Sequence, residues 1–151
     1  MLTREAVAAA LALAGIRTGA HVLDLAPAAG LSRAARAMAG STGRVDEQCP
    51  TSGDPGSTAV PAGAGPYGYL LAVRSDSPPE QVVAQVEAER LVLEPGARVT
   101  LGCAGSLAGL VDQLRTGGWT VLHATTVLDA DPAVAARTSL ALAVARPPLP
   151  S

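Results

Sequence analysis

Lysine and phenylalanine are absent from this chain, and aromatic side chains are rare. The aromatic residues are Tyr67, Tyr69 and Trp119. All eleven basic residues are arginines, scattered along 151 residues whose formal net charge is −2 at pH 7. A nucleic-acid-binding domain would carry a basic stripe, and a binder of single strands would carry aromatic stacking platforms. The composition therefore argues against a nucleic-acid partner.

Cysteine is scarce as well, and Cys49 and Cys103 do not have the spacing of a metal site. Such a pair is typical of free thiols in a reducing compartment. Long apolar runs are also missing, because the apolar segment 5–16 is too short to cross a bilayer and only Arg4 precedes it as a charge. We therefore expect a cytoplasmic protein with no metal site and no membrane partner.

A chain of this length suits one domain with a sizeable core, and we expect residues 1–151 to form it. Residues 41–66 are predicted to be an irregular segment, because 15 of these 26 residues are Gly, Pro, Ser or Thr. A short strand near Arg44–Asp46 is compatible with that segment. Residues 147–151 are expected to be a Pro-rich tail.

In the rest of the chain, the spacing of apolar residues predicts helices that alternate with strands. The predicted helices are 3–14, 31–39, 78–93 and 107–115. The predicted strands are 21–25, 69–73, 98–101, 119–125 and 138–145, with turns at 95–96 and 129–132. This alternation is typical of a mostly parallel α/β sheet. The last two strands have no helix between them and are expected to pair antiparallel.

The order of these elements resembles that of the class I S-adenosylmethionine-dependent methyltransferases. GIRTGAHVLDLAPAAG is similar to the family's first motif, in which VLDLGCGTG follows a helix end and a polar turn. LEPGARVTLG, LVDQLRTGGWTVL and TSLALAVARPP resemble the passages into its fifth, sixth and closing strands. The resemblance covers most of the chain outside 41–66. It implies a Rossmann-like sheet in the order 21–25, 69–73, 98–101, 138–145, 119–125, without a regular second and third strand.

The resemblance also implies a site for S-adenosylmethionine. In that family the loop after the first strand carries the cofactor, and an acid at the end of the second strand binds the ribose hydroxyls. Asp24 matches the acid of the first motif, and Gly30 matches its last glycine. Asp46 or Glu47 matches the ribose acid, about 20 residues further along the chain.

The same loop departs from the family pattern. Ala26 and Ala28 occupy positions where two glycines are usual, and Pro27 lies between them. A methyl group is costly wherever the backbone needs a positive φ or must approach a ligand closely. We therefore include Ala26 and Ala28 in the candidate cofactor site as positions that weaken it.

The remaining chemically active residues favour structural roles, so catalytic residues stay unassigned. His21 lies at the amino end of a strand and His123 within one. Ser106 lacks the Gly-x-Ser-x-Gly pattern of a hydrolase and is more typical of a helix cap. Cys103 lies at the ligand edge of the sheet, where packing is the simpler role. By resemblance, Asp76 is near the place where some family members put catalytic groups.

Three functions stay open at this point. The first is a methyltransferase-like protein with weakened or lost cofactor binding. The second is an active small-molecule methyltransferase, or another biosynthetic enzyme of this fold. The third is a non-catalytic subunit that binds a protein partner.

The predicted assembly depends on the edge of the first strand. Residues 41–66 are too few for both a second and a third strand with a helix between them. The apolar strand 21–25 would then have an open edge, which favours a homodimer or a heteromeric complex. A short strand from 44–60 is the alternative cover for that edge.

Overall fold

The computed structural model describes residues 4–26, 30–47, 66–74, 77–89, 92–104, 106–130 and 137–148. The helices in these ranges are α1 Arg4–Ala14, α2 Ser32–Ala39, α3 Pro79–Ala88 and α4 Leu107–Thr116. The strands are β1 His21–Asp24, β2 Arg44–Glu47, β3 Tyr67–Val73, β4 Leu93–Ala104, β5 Thr120–Ala130 and β6 Arg137–Arg146.

The strands form a six-stranded sheet in the order β2-β1-β3-β4-β6-β5. β2, β1, β3 and β4 run parallel to one another, and β6 is antiparallel to both β4 and β5. This arrangement confirms the Rossmann-like α/β class, the predicted order of five strands and the antiparallel pairing of the last two.

Strand β2 occupies the edge that was expected to be open. It pairs with all four residues of β1, from His21 opposite Arg44 to Asp24 opposite Glu47. The four residues RVDE contain no glycine or proline, which explains why a strand forms inside an otherwise irregular segment. The chain itself therefore covers this edge of β1, so the reason given for an assembly through that strand was wrong. Residues 48–65, where a third strand would fall, lie outside the described residues.

The sheet lies between two layers of helices. Val22 and Leu71 pack on the side of α1 and α2, whereas Leu23 and Leu70 pack on the side of α3 and α4. Successive side chains of a strand point to opposite faces, so a strand covered on both faces must be apolar throughout. This requirement explains the continuous apolar character of 21–25 and 69–73.

Helix α3 is shorter than predicted, and β4 is longer. The helix was expected to reach Leu93, but it ends at Ala88, and Leu93 instead pairs with Tyr67 as the first residue of β4. The expected turn at Pro95-Gly96 lies inside this strand, where the register shifts and Gly96 has a φ of +76°. Leu93 is buried in either arrangement, so apolar spacing could not distinguish them.

The ends of β5 and α1 can also be compared with the predicted ends. β5 continues to Ala130, so Asp129, expected in a turn, pairs instead with Thr138 of β6. α1 ends as predicted before Gly15, which has a φ of +61°. Within the described ranges, no helix is both long enough and apolar enough to span a membrane.

Candidate cofactor site

The topology places a crevice between β1 and β3. From β1 the chain passes through α2 to β2 on one side, while β3 pairs with β1 on the other side. In open α/β sheets, ligands bind outside the carboxyl ends of the strands at such a reversal of strand order. The residues at this edge are Leu25 and Ala26 after β1, Glu47 at the end of β2 and Arg74 after β3.

Asp24 ties the end of β1 to the start of α2. Its carboxylate is buried and accepts hydrogen bonds from the Ala26 backbone N–H at 2.9 Å and from the Ser32 hydroxyl at 2.5 Å. Burial raises the pKa of the Asp24 carboxyl above its usual value, although both hydrogen bonds act in the opposite direction. From inside the protein, Asp24 therefore holds together the backbone that follows β1 and the first residue of α2.

The backbone at Ala26 differs from what the sequence led us to expect. Ala26 is only 6% exposed, and among the described residues none other than glycine has a positive φ. The methyl group at this position is therefore accommodated without the expected strain, and the Ala26 N–H is already used by Asp24. Ala28 lies outside the described residues.

Gly30 keeps the conformation that its place in the motif requires. Its φ is +90°, a region that only glycine enters at low cost, and no atom lies within 4 Å of the position where a Cβ would be. The backbone conformation, rather than a lack of space, accounts for the glycine.

The two candidate ribose acids face opposite sides of the sheet. Glu47 lies opposite Asp24 in the β1–β2 register, and its carboxylate pairs with Nη2 of Arg36 on α2 at 2.9 Å. Asp46 points to the other side, where it accepts hydrogen bonds from the Tyr67 hydroxyl at 2.5 Å and from Nε of Arg44 at 3.0 Å. Of the two acids, the structure brings only Glu47 to the same side as Asp24.

The shifts in the pKa values of Asp46 and Tyr67 agree with a structural role for this pair. Burial acts to raise the pKa of Asp46, but the hydrogen bonds from Tyr67 and Arg44 outweigh it and lower that pKa. Burial and the nearby Asp46 carboxylate raise the pKa of Tyr67 to about 12. Asp46 is therefore an ionised group that joins β2 to β3.

Arg74 is a polar residue at this edge that the sequence analysis did not single out. It follows β3 directly, and its backbone N–H donates to the Gly102 carbonyl at 2.9 Å. Its side chain crosses to β1, where Nη2 lies 3.4 Å from the Leu25 carbonyl oxygen. The signal that could have found it is its place immediately after the predicted strand 69–73, at the carboxyl edge of the sheet.

The positions of the other candidate residues from the sequence agree with structural roles. Cys103 is buried near the carboxyl end of β4, and burial raises the pKa of its thiol to about 11, so the thiol stays protonated at neutral pH. His21 is exposed at the amino end of β1, and His123 is exposed in β5. Ser106 caps α4 through a hydrogen bond that its hydroxyl accepts from the Gly109 N–H. Cys49 and Asp76 lie outside the described residues.

No protein-family model and no curated protein matches this chain. Among solved structures, precorrin-6y C5,15-methyltransferase from Geobacter metallireducens superposes with a TM-score of 0.68, at 14% identity, over 97% of this chain and 90% of that one. Aeropyrum pernix fibrillarin in complex with S-adenosyl-L-methionine gives a TM-score of 0.61 at 17% identity, over 90% and 73% of the two chains. The chain has the class I methyltransferase fold.

A third similar structure performs a different reaction. The [4+2]-cyclase SpnF superposes on 97% of this chain and on 82% of its own, with a TM-score of 0.58 and 16% identity. At these identities the similarities concern the fold. The class I methyltransferase fold agrees with the resemblance noted in the sequence.

Proposed function

We propose that this protein is a methyltransferase-like protein that binds S-adenosylmethionine at the crevice between β1 and β3 with weakened affinity. The observation that carries this proposal is the mutual pairing of the polar groups at that edge. The Ala26 N–H is used by Asp24, and the Glu47 carboxylate is used by Arg36.

Retained elements of the site support binding. The buried Asp24 carboxylate accepts a hydrogen bond from the Ser32 hydroxyl, and Gly30 has a positive φ. A structural neighbour, fibrillarin, holds S-adenosyl-L-methionine in the same fold. In the β1–β2 register Glu47 lies opposite Asp24, so both acids are on one side of the sheet.

The pairing of Glu47 supports low affinity rather than loss of binding. A ribose that hydrogen-bonds to Glu47 must displace the Arg36 guanidinium. Both side chains are exposed in part, at 54% for Arg36 and 39% for Glu47. Exposed ion pairs of this kind contribute only ~0–1 kcal/mol, so their displacement weakens binding without preventing it.

The substrate class is proposed as a small molecule, because the chain has little positive charge for a nucleic acid. An active methyltransferase would use the same site. A biosynthetic enzyme for a non-methyl reaction is a further alternative, supported at the level of the fold by the [4+2]-cyclase.

Isothermal titration with S-adenosylmethionine and S-adenosylhomocysteine tests the proposal. We expect a Kd of roughly 0.1–1 mM, which corresponds to about 4–5.5 kcal/mol of binding free energy. Arg36→Gln releases Glu47 and should tighten binding by up to about fivefold. Arg33→Gln, an exposed arginine of the same helix, is the matched control and should leave the Kd unchanged.

The titration separates the alternatives. A Kd in the low micromolar range would contradict weakened binding and favour the active methyltransferase. The absence of binding at several millimolar ligand would contradict cofactor binding altogether and favour the partner-binding subunit.

Asp24→Ala is expected to weaken binding of S-adenosylmethionine more than Asp46→Ala. Asp24 anchors the loop from a buried strand end, whereas Asp46 faces the other side of the sheet and binds Tyr67. Kd values for the two variants, each checked for folding by circular dichroism, provide the measurement. Equal Kd values for the two variants would show that the loop anchored by Asp24 takes no part in binding.

A second candidate function is a non-catalytic subunit that binds a partner. Within the described ranges β2 is an edge strand of only four residues, and edge strands present unpaired backbone groups to other chains. A homodimer or a heteromeric complex through this strand therefore remains a proposal. A light-scattering mass equal to one chain at tens of micromolar protein would exclude the homodimer.

A further inference from the structure

Arg74 lies at the carboxyl edge of the sheet, where the strand order reverses between β1 and β3. It directly follows β3, and its guanidinium reaches the Leu25 carbonyl at the end of β1. The crevice in which open α/β sheets bind ligands lies between the carboxyl ends of these two strands. One side chain therefore places a permanent positive charge at the mouth of the proposed cofactor site.

Among the described residues, few acceptors use the hydrogen-bonding capacity of this guanidinium. A guanidinium has five N–H donors, and the described residues offer Arg74 one acceptor, the Leu25 oxygen, at the long distance of 3.4 Å. Its Nε atom is buried and has no hydrogen-bond partner in the described part of the chain. By contrast, Arg36 and Arg44 each pair with a carboxylate at 2.9 Å.

A half-buried guanidinium with unused parallel donors suits a planar anion. Arginine binds carboxylates through two parallel N–H···O hydrogen bonds, and such charge-assisted pairs are stronger where solvent is partly excluded. Of the acidic side chains that the structure describes at this edge, neither fills the role, because Asp24 is bonded to Ala26 and Ser32, and Glu47 is bonded to Arg36.

We infer that Arg74 binds the α-carboxylate of S-adenosylmethionine. This inference rests on the proposed function, and it assigns one residue of this chain to the amino-acid end of the cofactor. Leu25, whose carbonyl oxygen the Arg74 side chain contacts, directly follows β1 at the edge where the cofactor is proposed to bind. The charge of the guanidinium complements that of the carboxylate.

The test compares two ligands that differ only in this carboxylate, S-adenosylmethionine and decarboxylated S-adenosylmethionine. Their Kd values are measured by isothermal titration with the unaltered protein and with Arg74→Gln, Arg74→Lys and Arg146→Gln. Arg146 is an exposed arginine at the opposite end of the sheet, next to the first residue of β5, and it controls for the loss of one charge.

We expect Arg74→Gln to weaken S-adenosylmethionine binding by roughly 10- to 100-fold and to leave the Kd of the decarboxylated ligand nearly unchanged. Arg74→Lys should retain part of the affinity, since lysine keeps the charge but not the two parallel donors. Arg146→Gln should bind both ligands like the unaltered protein.

The outcomes distinguish this inference from the proposed function. If Arg74→Gln binds S-adenosylmethionine unchanged, or loses affinity for both ligands equally, the carboxylate contact is refuted while cofactor binding stands. Equal loss would show that Arg74 only supports the Leu25 backbone. If the unaltered protein binds neither ligand at several millimolar, the proposed function itself fails.

Discussion

Replacing Gly43 with alanine is expected to lower the free energy of unfolding by about 2–3 kcal/mol. A Cβ atom at this position would lie 2.5 Å from the Ala39 Cβ, 2.7 Å from the Ala39 carbonyl oxygen and 2.8 Å from the Ala20 carbonyl oxygen. Two of these three neighbours are backbone atoms, which cannot turn aside as the end of a flexible side chain can. Gly43 therefore has to be glycine because three chain segments meet there.

The consequence of this substitution extends to the candidate site. The next residue, Arg44, donates its backbone N–H to the Ala20 carbonyl at 2.9 Å and begins β2. A side chain at Gly43 pushes β2 away from β1, and with it Glu47, which lies opposite Asp24. We expect the same variant to bind S-adenosylmethionine more weakly than the unaltered protein.

Gly109→Ala is the matched control for the stability measurement. A Cβ at Gly109 meets its nearest atoms at an ordinary 3.7 Å, and the residue lies in α4, where alanine is preferred to glycine by up to about 1 kcal/mol. Denaturation in guanidinium chloride, followed by circular dichroism, should find the control as stable as the unaltered protein or more stable. Equal midpoints for the two variants would show that β2 does not need its close approach to α2.

Trp119→Ala is expected to cost about 3–5 kcal/mol of stability, the largest effect of any single truncation considered. The Trp119 side chain is 3% exposed and belongs to the apolar cluster between the sheet and the pair α3 and α4. Its indole N–H also donates to the Glu87 carboxylate at 2.5 Å, which links the start of β5 to α3. Removal of the ring leaves a large cavity and breaks this link.

Trp119→Phe separates the two contributions. Phenylalanine keeps most of the apolar volume but cannot donate the hydrogen bond, so a smaller loss of about 1–2 kcal/mol is expected. Thermal unfolding must be followed by circular dichroism, because Trp119 is the single tryptophan of the chain and its fluorescence is lost in both variants. Similar losses for the alanine and phenylalanine variants would mean that the hydrogen bond, and not the buried ring, provides most of the stabilisation.

Much of the fold could be predicted from local features of the sequence. The apolar strands 21–25 and 69–73 predicted a sheet covered on both faces, and Gly15 predicted the end of α1. The absence of a helix between the last two strands predicted their antiparallel pairing, which β5 and β6 confirm. These features depend on residues close to one another in the chain, so they can be recognised without tertiary contacts.

The sequence was misleading for the end of α3 and left β2 as one of two alternatives, because contacts between distant segments decide both. Leu93 fits a helical apolar spacing and also pairs with Tyr67, and only the sheet decides between the two. β2 forms in a Gly- and Pro-rich segment because β1 supplies a partner for its four residues. Short strands of low intrinsic preference are stabilised by pairing with neighbours, which the local sequence does not reveal.

For the candidate site, local sequence pointed to Asp24 and Gly30, because an acid at a strand end and a glycine suited to a positive φ are features of one short segment. Only the tertiary structure separated Glu47 from Asp46. Neighbouring residues of a strand face opposite sides, and the partner that holds Asp46, Tyr67, is 21 residues away in the sequence. The place of Arg74 was decided in the same way, since its guanidinium spans two strands that are adjacent only in the folded sheet.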